Sequence, residues 1–199
     1  MLRILIISIL FSLINPFKLS DYYNSNKKLI DIYPCQYISK EVWDAANDAA
    51  FAINDLDYFK IVLHRKHHLS DKVNIICETD DRSSTTFYTE YYPPRMEILI
   101  NTNLKYSPNS LYNVILHELG HTLGLSHSDT YGMMNYSVSL TGQDYLLFID
   151  DDRKLWFSND DINGIYNSYR VVKKKYCSQS NIFRNFVRFY QCLELPWNV

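Results

Sequence analysis

Apolar positions recur along this chain in three rhythms. The first is a nearly unbroken run over residues 4–14, preceded by Arg3, interrupted only by Ser8 and Ser12, and ended by Asn15 and Pro16. It is too short to span a bilayer comfortably and fits a secretory signal over residues 1–20. No small-x-small cleavage site is visible, so a retained signal anchor is the alternative reading. The second rhythm is extended. After a polar lead at 21–28, residues 28–33 form a first strand that Pro34 stops. Three further strands are expected at 59–66, 72–79 and 84–92, the last closed by Pro93 and Pro94, and another at 95–102 around MEILIN. The third rhythm is helical. Ser39 is a natural N-cap, and Val42, Trp43, Ala46, Ala49, Ala50 and Ile53 repeat at helical spacing to about residue 54. Ser107 followed by Pro108 is a second helix start. Tyr112, Ile115, Leu116, Leu119 and Leu123 fall on one side of the helix that follows.

The other side of that helix carries chemistry. Residues 117–127 read HELGHTLGLSH. His117 and His121 are one turn apart, so both imidazoles leave the same face and can grip one ion. Glu118 is rotated by about 100° and puts a carboxylate beside the metal. Gly124 can take a positive φ, end the helix and reverse the chain, so that His127 returns as a third ligand. Three neutral imidazoles leave one open position on a zinc ion, which is the pattern of a catalytic site. Water there becomes acidic near neutral pH, and with Glu118 to take its proton it can attack a carbonyl. HELGH alone also suits a buried amphipathic helix with two satisfied histidines. The added glycine and third histidine make a chance match rarer by about a thousandfold on background residue usage.

Composition narrows the class. The 199 residues are 47% hydrophobic and 21% charged with a net charge of -2, a balance that fits one globular domain and gives no basic excess for nucleic acid. Four cysteines, Cys35, Cys77, Cys177 and Cys192, all lie beyond the apolar leader, in a domain facing an oxidising compartment. They allow three pairings. We expect Cys177 with Cys192 as a local clasp and Cys35 with Cys77, against the alternative of free buried thiols. From residue 170 the character changes. Residues 170–199 carry +5 and residues 1–169 carry -7, and NIFRNFVRFYQCLEL mixes aromatics with arginines. Such a basic amphipathic tail can contact a membrane or an acidic partner. Docking on the acidic domain through a disulfide is the preferred reading.

The extended histidine string resembles the zinc signature of the metzincin metallopeptidases. YGMMNY after His127 resembles their methionine turn, with Met134 as the turn methionine. The order of elements is similar to the matrixin branch, the matrix metalloproteinase catalytic domain. TTFYTEYYP and MEILIN occupy the places of its edge strand and the strand before the zinc helix. SNDDINGIYNSY, residues 158–169, matches the pattern that opens its last helix. Asp160 and Asp161 there read most simply as charges favoured by a helix N-terminus.

The resemblance implies an α+β, zincin-like fold: a twisted mixed sheet, two long helices and a short C-terminal helix. It covers about residues 28–169, so the chain is expected to divide into a signal segment or anchor at 1–20, a catalytic domain at 21–169 and the tail at 170–199. It implies a secreted, monomeric zinc endopeptidase of extracellular or matrix-type proteins, with one catalytic Zn2+ and Glu118 as base. Substrate would lie extended, antiparallel to the edge strand at about 84–92. A binding module that keeps zinc but does not cut is the alternative.

Departures from the family are equally specific. No cysteine-bearing inhibitory segment fits before the first strand. Cys35 in YPCQY does not match the blocking motif, and PPRM at 93–96 has methionine where a thiol is required. The expectation is an enzyme that needs no propeptide removal. His64, His67 and His68 read as a solvated strand end, and Asp150, Asp151 and Asp152 as a solvated turn, so neither a structural zinc nor calcium is assigned. Tyr136 could approach the zinc, as in astacins, but a packed tyrosine is preferred. Residues 137–155 should form the far wall of the cleft.

Overall fold

The computed structural model describes residues 29–35, 37–68, 74–79, 87–92, 95–128, 132–135, 137–138, 144–145 and 154–179. The expected signal segment, Tyr136, Asp150, Asp151, Asp152 and Cys192 lie outside them, as does the expected clasp of Cys177 with Cys192.

Strand β1 (Leu29–Pro34) buries Ile30, Ile32 and Pro34 on alternate positions, as a half-covered strand should. Helix α1 (Lys40–Asp55) starts where Ser39 Oγ accepts the Val42 N–H at 3.3 Å. It buries Val42, Ala46, Ala49, Ala50 and Ile53. Strands β2 (Lys60–Leu63), β3 (Asn74–Thr79), β4 (Phe87–Tyr92) and β5 (Arg95–Asn101) follow. The sheet order is β2-β1-β3-β5-β4, parallel except for β4, which runs antiparallel to β5. A disulfide joins Cys35 to Cys77, tying the end of β1 to β3.

Helix α2 (Pro108–Thr122) begins at the N-cap Ser107, whose Oγ accepts from Ser110 N at 3.1 Å. It lies against α1 and reaches β4. One core joins Ile32, Ile76, Ile98 and Ile100 of the sheet to Ala49 and Ile53 of α1, Ile115, Leu116 and Leu119 of α2, and both Met133 and Met134. A two-stranded ribbon, β6 (Ser137–Val138) with β7 (Asp144–Tyr145), falls within the stretch expected to wall the cleft. Helix α3 (Asn159–Gln179) closes the architecture, with Tyr169 against Tyr58 and Phe59.

The α+β class is as expected, with two differences in the elements. The second strand stops at Leu63 rather than 66. His64 N still donates to Ile32 O at 2.9 Å, but the next residue of β1 facing that way is Pro34, which has no N–H to extend the ladder. The C-terminal helix is not short. At 21 residues it is the longest of the three described, because no proline or glycine follows Gly164 before Gln179 and the lysines and arginine there are good helix formers.

Candidate active site

Helix α2 ends just after His121, and the way it ends assembles the site. Leu123 is the C-cap and Gly124 takes φ 87°. Gly124 N donates to His121 O at 2.9 Å and Leu125 N to Gly120 O at 3.2 Å, the paired bonds of a Schellman motif, which favours glycine at the left-handed position. The reversal carries the Leu125 carbonyl back over the helix end, where it accepts from His121 Nδ1 at 2.8 Å. His117 Nδ1 likewise donates to Met133 O at 2.7 Å. A carbonyl can only accept, so in both rings the hydrogen sits on Nδ1 and the unprotonated nitrogen is Nε2.

Those two Nε2 atoms and that of His127 face one another. His127 Nε2 is 3.2 Å from His121 Nε2 and 3.2 Å from His117 Nε2. Four ligands at zinc–nitrogen distances in a tetrahedron stand about 3.3 Å apart, so the separations suit one shared ion. Lone pairs at this distance repel unless a cation lies between them. Among the described residues, His117, His121 and His127 form the one group of three metal-ligating side chains. The donor set, three imidazoles of which His117 and His121 have their tautomers fixed by carbonyls, fits zinc with an open fourth position.

Burial supports that state. His117 is 1% exposed, and burial first, then the neighbouring His121, holds its imidazole well below the ordinary 6.5 despite the bond to Met133 O. Burial lowers His121 as well, against its bond to Leu125 O. Neutral rings are the form a metal requires. Glu118, next on the helix, is 3% exposed.

Beneath the histidines runs a tight turn containing two methionines. A Cβ on Gly120 would run into Met134 Sδ and come within 2.8 Å of Met133 Cε, so glycine inside the helix lets both thioethers press against it. Asp161, on the first turn of α3, holds this turn from below. Its Oδ2 accepts from Met133 N at 2.7 Å and its Oδ1 from Met134 N at 3.1 Å. Ser158 N and Oγ also donate to Asp161 Oδ2, while Ser158 Oγ accepts from Asp161 N at 3.1 Å, so a capping box and a clamp share one carboxylate. Gly132 leaves room for the clamp, since a Cβ there would collide with Asp161 Oδ2. From the neighbouring position Asp160 accepts from Ser128 Oγ at 2.7 Å, next to His127. Ser168, farther along α3, donates to Leu123 O at the end of α2.

The string of residues 117–127 therefore brings together all three expected histidines, while Glu118 is buried next to His117 along the helix and Met134 packs against Gly120. The supporting groups are another matter: Asp161, Ser158, Gly120 and Gly132 have no role legible in the sequence beyond helix-terminal charge for the aspartate. The SxxD spacing of Ser158 and Asp161 is the one signal, that of a cap, that could have pointed to them. The expected solvated cluster is partly structured. His64 Nε2 lies 2.8 Å from Asp31 Oδ1, and its ring stacks on Tyr33 at 4.2 Å.

Comparisons with known proteins bear on this geometry. A family model described as matrixin matches residues 35–170. A search of curated proteins finds no significant match. Among solved structures, high choriolytic enzyme 1 of the medaka fish Oryzias latipes, a hatching-enzyme zinc protease, aligns with a TM-score of 0.50 at 15% identity. The alignment covers 76% of this chain and 94% of that one, and at that identity the likeness is one of fold.

Proposed function

The chain belongs to the matrixin family of zinc metalloendopeptidases, and on that premise we propose that it is a secreted endopeptidase in which His117, His121 and His127 hold the zinc and Glu118 is the general base. The observation that carries the reading is the convergence of the three Nε2 atoms while His117 and His121 spend their Nδ1 hydrogens on carbonyls. When bound, zinc supplies Lewis acidity: it polarises the scissile carbonyl and makes a water molecule acidic enough to lose its proton near neutral pH.

The chain's own residues then divide the work. Glu118 follows His117 on the helix and is buried, which favours short, water-excluded proton transfers. It takes the proton of the attacking water and delivers it to the leaving amine. His117 and His121 stay fixed because Met133 O and Leu125 O hold them from behind. Gly120, Met133 and Met134 provide a close-packed floor. The substrate backbone adds as an extended strand along β4, which ends the sheet and lies next to α2, so the scissile carbonyl is delivered toward the histidines. Secretion is favoured by the Cys35 to Cys77 disulfide, a bond at home in an oxidising compartment, and extracellular proteins are the substrates that location offers.

The test is zinc content together with cleavage of a quenched peptide library. One equivalent of zinc and chelator-sensitive cleavage are expected. Glu118→Ala should keep the metal and lower kcat/KM by at least about a hundredfold. Full zinc with no cleavage by the folded wild-type protein would replace this reading with a binding module.

A further inference from the structure

Strand β1 has its two parallel neighbours on opposite sides. Helix α1 carries the chain from β1 to β2, and the sheet order β2-β1-β3 puts β3 on the other side of β1. Helix α1 packs on the face that buries Ile30 and Ile32, whereas His64 and His68, which follow β2, lie on the opposite face against the Tyr33 ring. In an open parallel sheet such a reversal leaves a crevice beyond the carboxyl ends of the two strands, because the connections diverge there. A cavity of about 420 Å³ occupies this place. Its walls come from the end of β1 (Pro34 and Cys35), the N-cap of α1 (Ser39), the end of β3 (Glu78) and the residues after β2 (Arg65 and His67). None of them belongs to the metal centre, and the Cys35 to Cys77 disulfide ties the two strand ends together.

The polar groups on these walls are only partly used. Glu78 Oε1 accepts from Ser39 N at 3.0 Å and from Ser39 Oγ, while no donor among the described residues reaches Oε2. His67 Nδ1 donates to Pro34 O at 3.1 Å, which leaves Nε2 for a ligand. The exposed Arg65 guanidinium has no carboxylate or carbonyl partner among the described residues. Tyr37, 81% exposed, adds a flat apolar ring face and a hydroxyl. The complementary ligand brings an anionic group for Arg65, hydroxyl donors for Glu78 Oε2 and His67 Nε2, and a ring to lie on Tyr37. A bare phosphate would meet the Glu78 charge. A peptide strand would need an open sheet edge, and β1 and β3 are interior strands. We propose that this crevice binds an anionic saccharide, a sugar bearing a carboxylate or a sulfate ester, with its acid group on Arg65 and its hydroxyls on Glu78 and His67. The inference is independent of the endopeptidase reading.

Calorimetric titration of the full-length, zinc-loaded protein tests this with two probes: a tetrasaccharide acidic only through uronate carboxylates, and one that also carries sulfate esters. One saturable site is expected for at least one probe, and the pair shows which acid group is taken. Arg65→Gln should weaken binding by about tenfold or more and Tyr37→Ala by about fivefold. Both positions are exposed, so melting temperatures should stay at the wild-type value. Lys154→Gln, which removes an exposed positive charge that does not line the cavity, should leave the affinity within about twofold. No binding of either probe by the wild type at millimolar saccharide overturns the inference. So does an equal loss in Lys154→Gln and Arg65→Gln, which would make the attraction one of diffuse charge. An aspartate-rich peptide that displaces the saccharide at equal concentration would give the crevice to an acidic peptide and overturn it as well. Cleavage of a quenched peptide, measured alongside, reads the endopeptidase proposal alone: no cleavage with saccharide bound removes that proposal and leaves this inference standing.

Discussion

A carboxylate at 3% exposure must find donors, and Asp161 finds them in Met133 N, Met134 N, Ser158 N and Ser158 Oγ. Removing it strands two buried N–H groups in the turn whose Met133 carbonyl orients His117. Each stranded donor costs about 1–3 kcal/mol, so Asp161→Ala should lose about 3 kcal/mol or more in denaturant unfolding. With the acceptor behind His117 loosened, zinc affinity should fall by about 10–100-fold in chelator competition. An unchanged zinc affinity would mean that the turn holds its shape without the carboxylate. The same residue shows why the three histidines of the candidate site were legible in the sequence and their support was not. His117, His121 and His127 declare themselves by spacing along a helix and its reversal. Asp161 acts on backbone N–H groups 27 and 28 residues away, and such donors leave no mark on the side chains that a sequence displays. Gly124 was readable because a positive φ favours glycine, whereas Gly120 is needed only because two methionines pack on it.

At the scale of elements, periodicity located the strands and helices but not where they end. It reports which face is buried, and faces persist or fail only when partners are known. Strand β2 shows this: its outer edge is closed by a side chain, since Asn54 donates to Ile61 O at 2.9 Å and accepts from Ile61 N at 2.6 Å. Nothing in the alternation of apolar residues foretells that asparagine. The packing of α2 beside α1 makes a pH prediction. Burial, reinforced by Asp48, raises the Tyr112 phenol from 10.0 to about 12. The unfolded phenol ionises near 10, so this group leaves stability unchanged below that pH. Above it the unfolded chain loses a proton that the folded chain keeps, and stability falls until about 12, where the folded phenol ionises too. Unfolding midpoints measured from pH 9 to 12 should therefore drop less steeply in Tyr112→Phe than in wild type. Parallel slopes would show that Tyr112 is not kept protonated by the fold.

For the whole molecule, the order β2-β1-β3-β5-β4 could be inferred only from resemblance, because pairings such as β3 with β5 skip an intervening strand and no local pattern names a partner so far away. That topology decides what zinc removal does. In a zinc finger the metal replaces a core. Here the core runs from the sheet through α1 and α2 to α3 without needing the ion, and a disulfide ties β1 to β3. Chelation should leave the far-UV circular dichroism at 25 °C intact. It should still lower the melting temperature, because three nitrogens set for one cation are left facing one another and Gly124, at φ 87°, keeps the reversal that brings His127 to them. At free zinc about a thousandfold above Kd, bound metal adds about 4 kcal/mol, which for a chain of this size is about 10 °C. The same drop is expected for Glu118→Ala, which lacks the proposed base and keeps all three histidines. Unfolding of the chelated protein at 25 °C would mean that the ion carries the fold; a melting temperature indifferent to chelation would mean that the three histidines do not hold one.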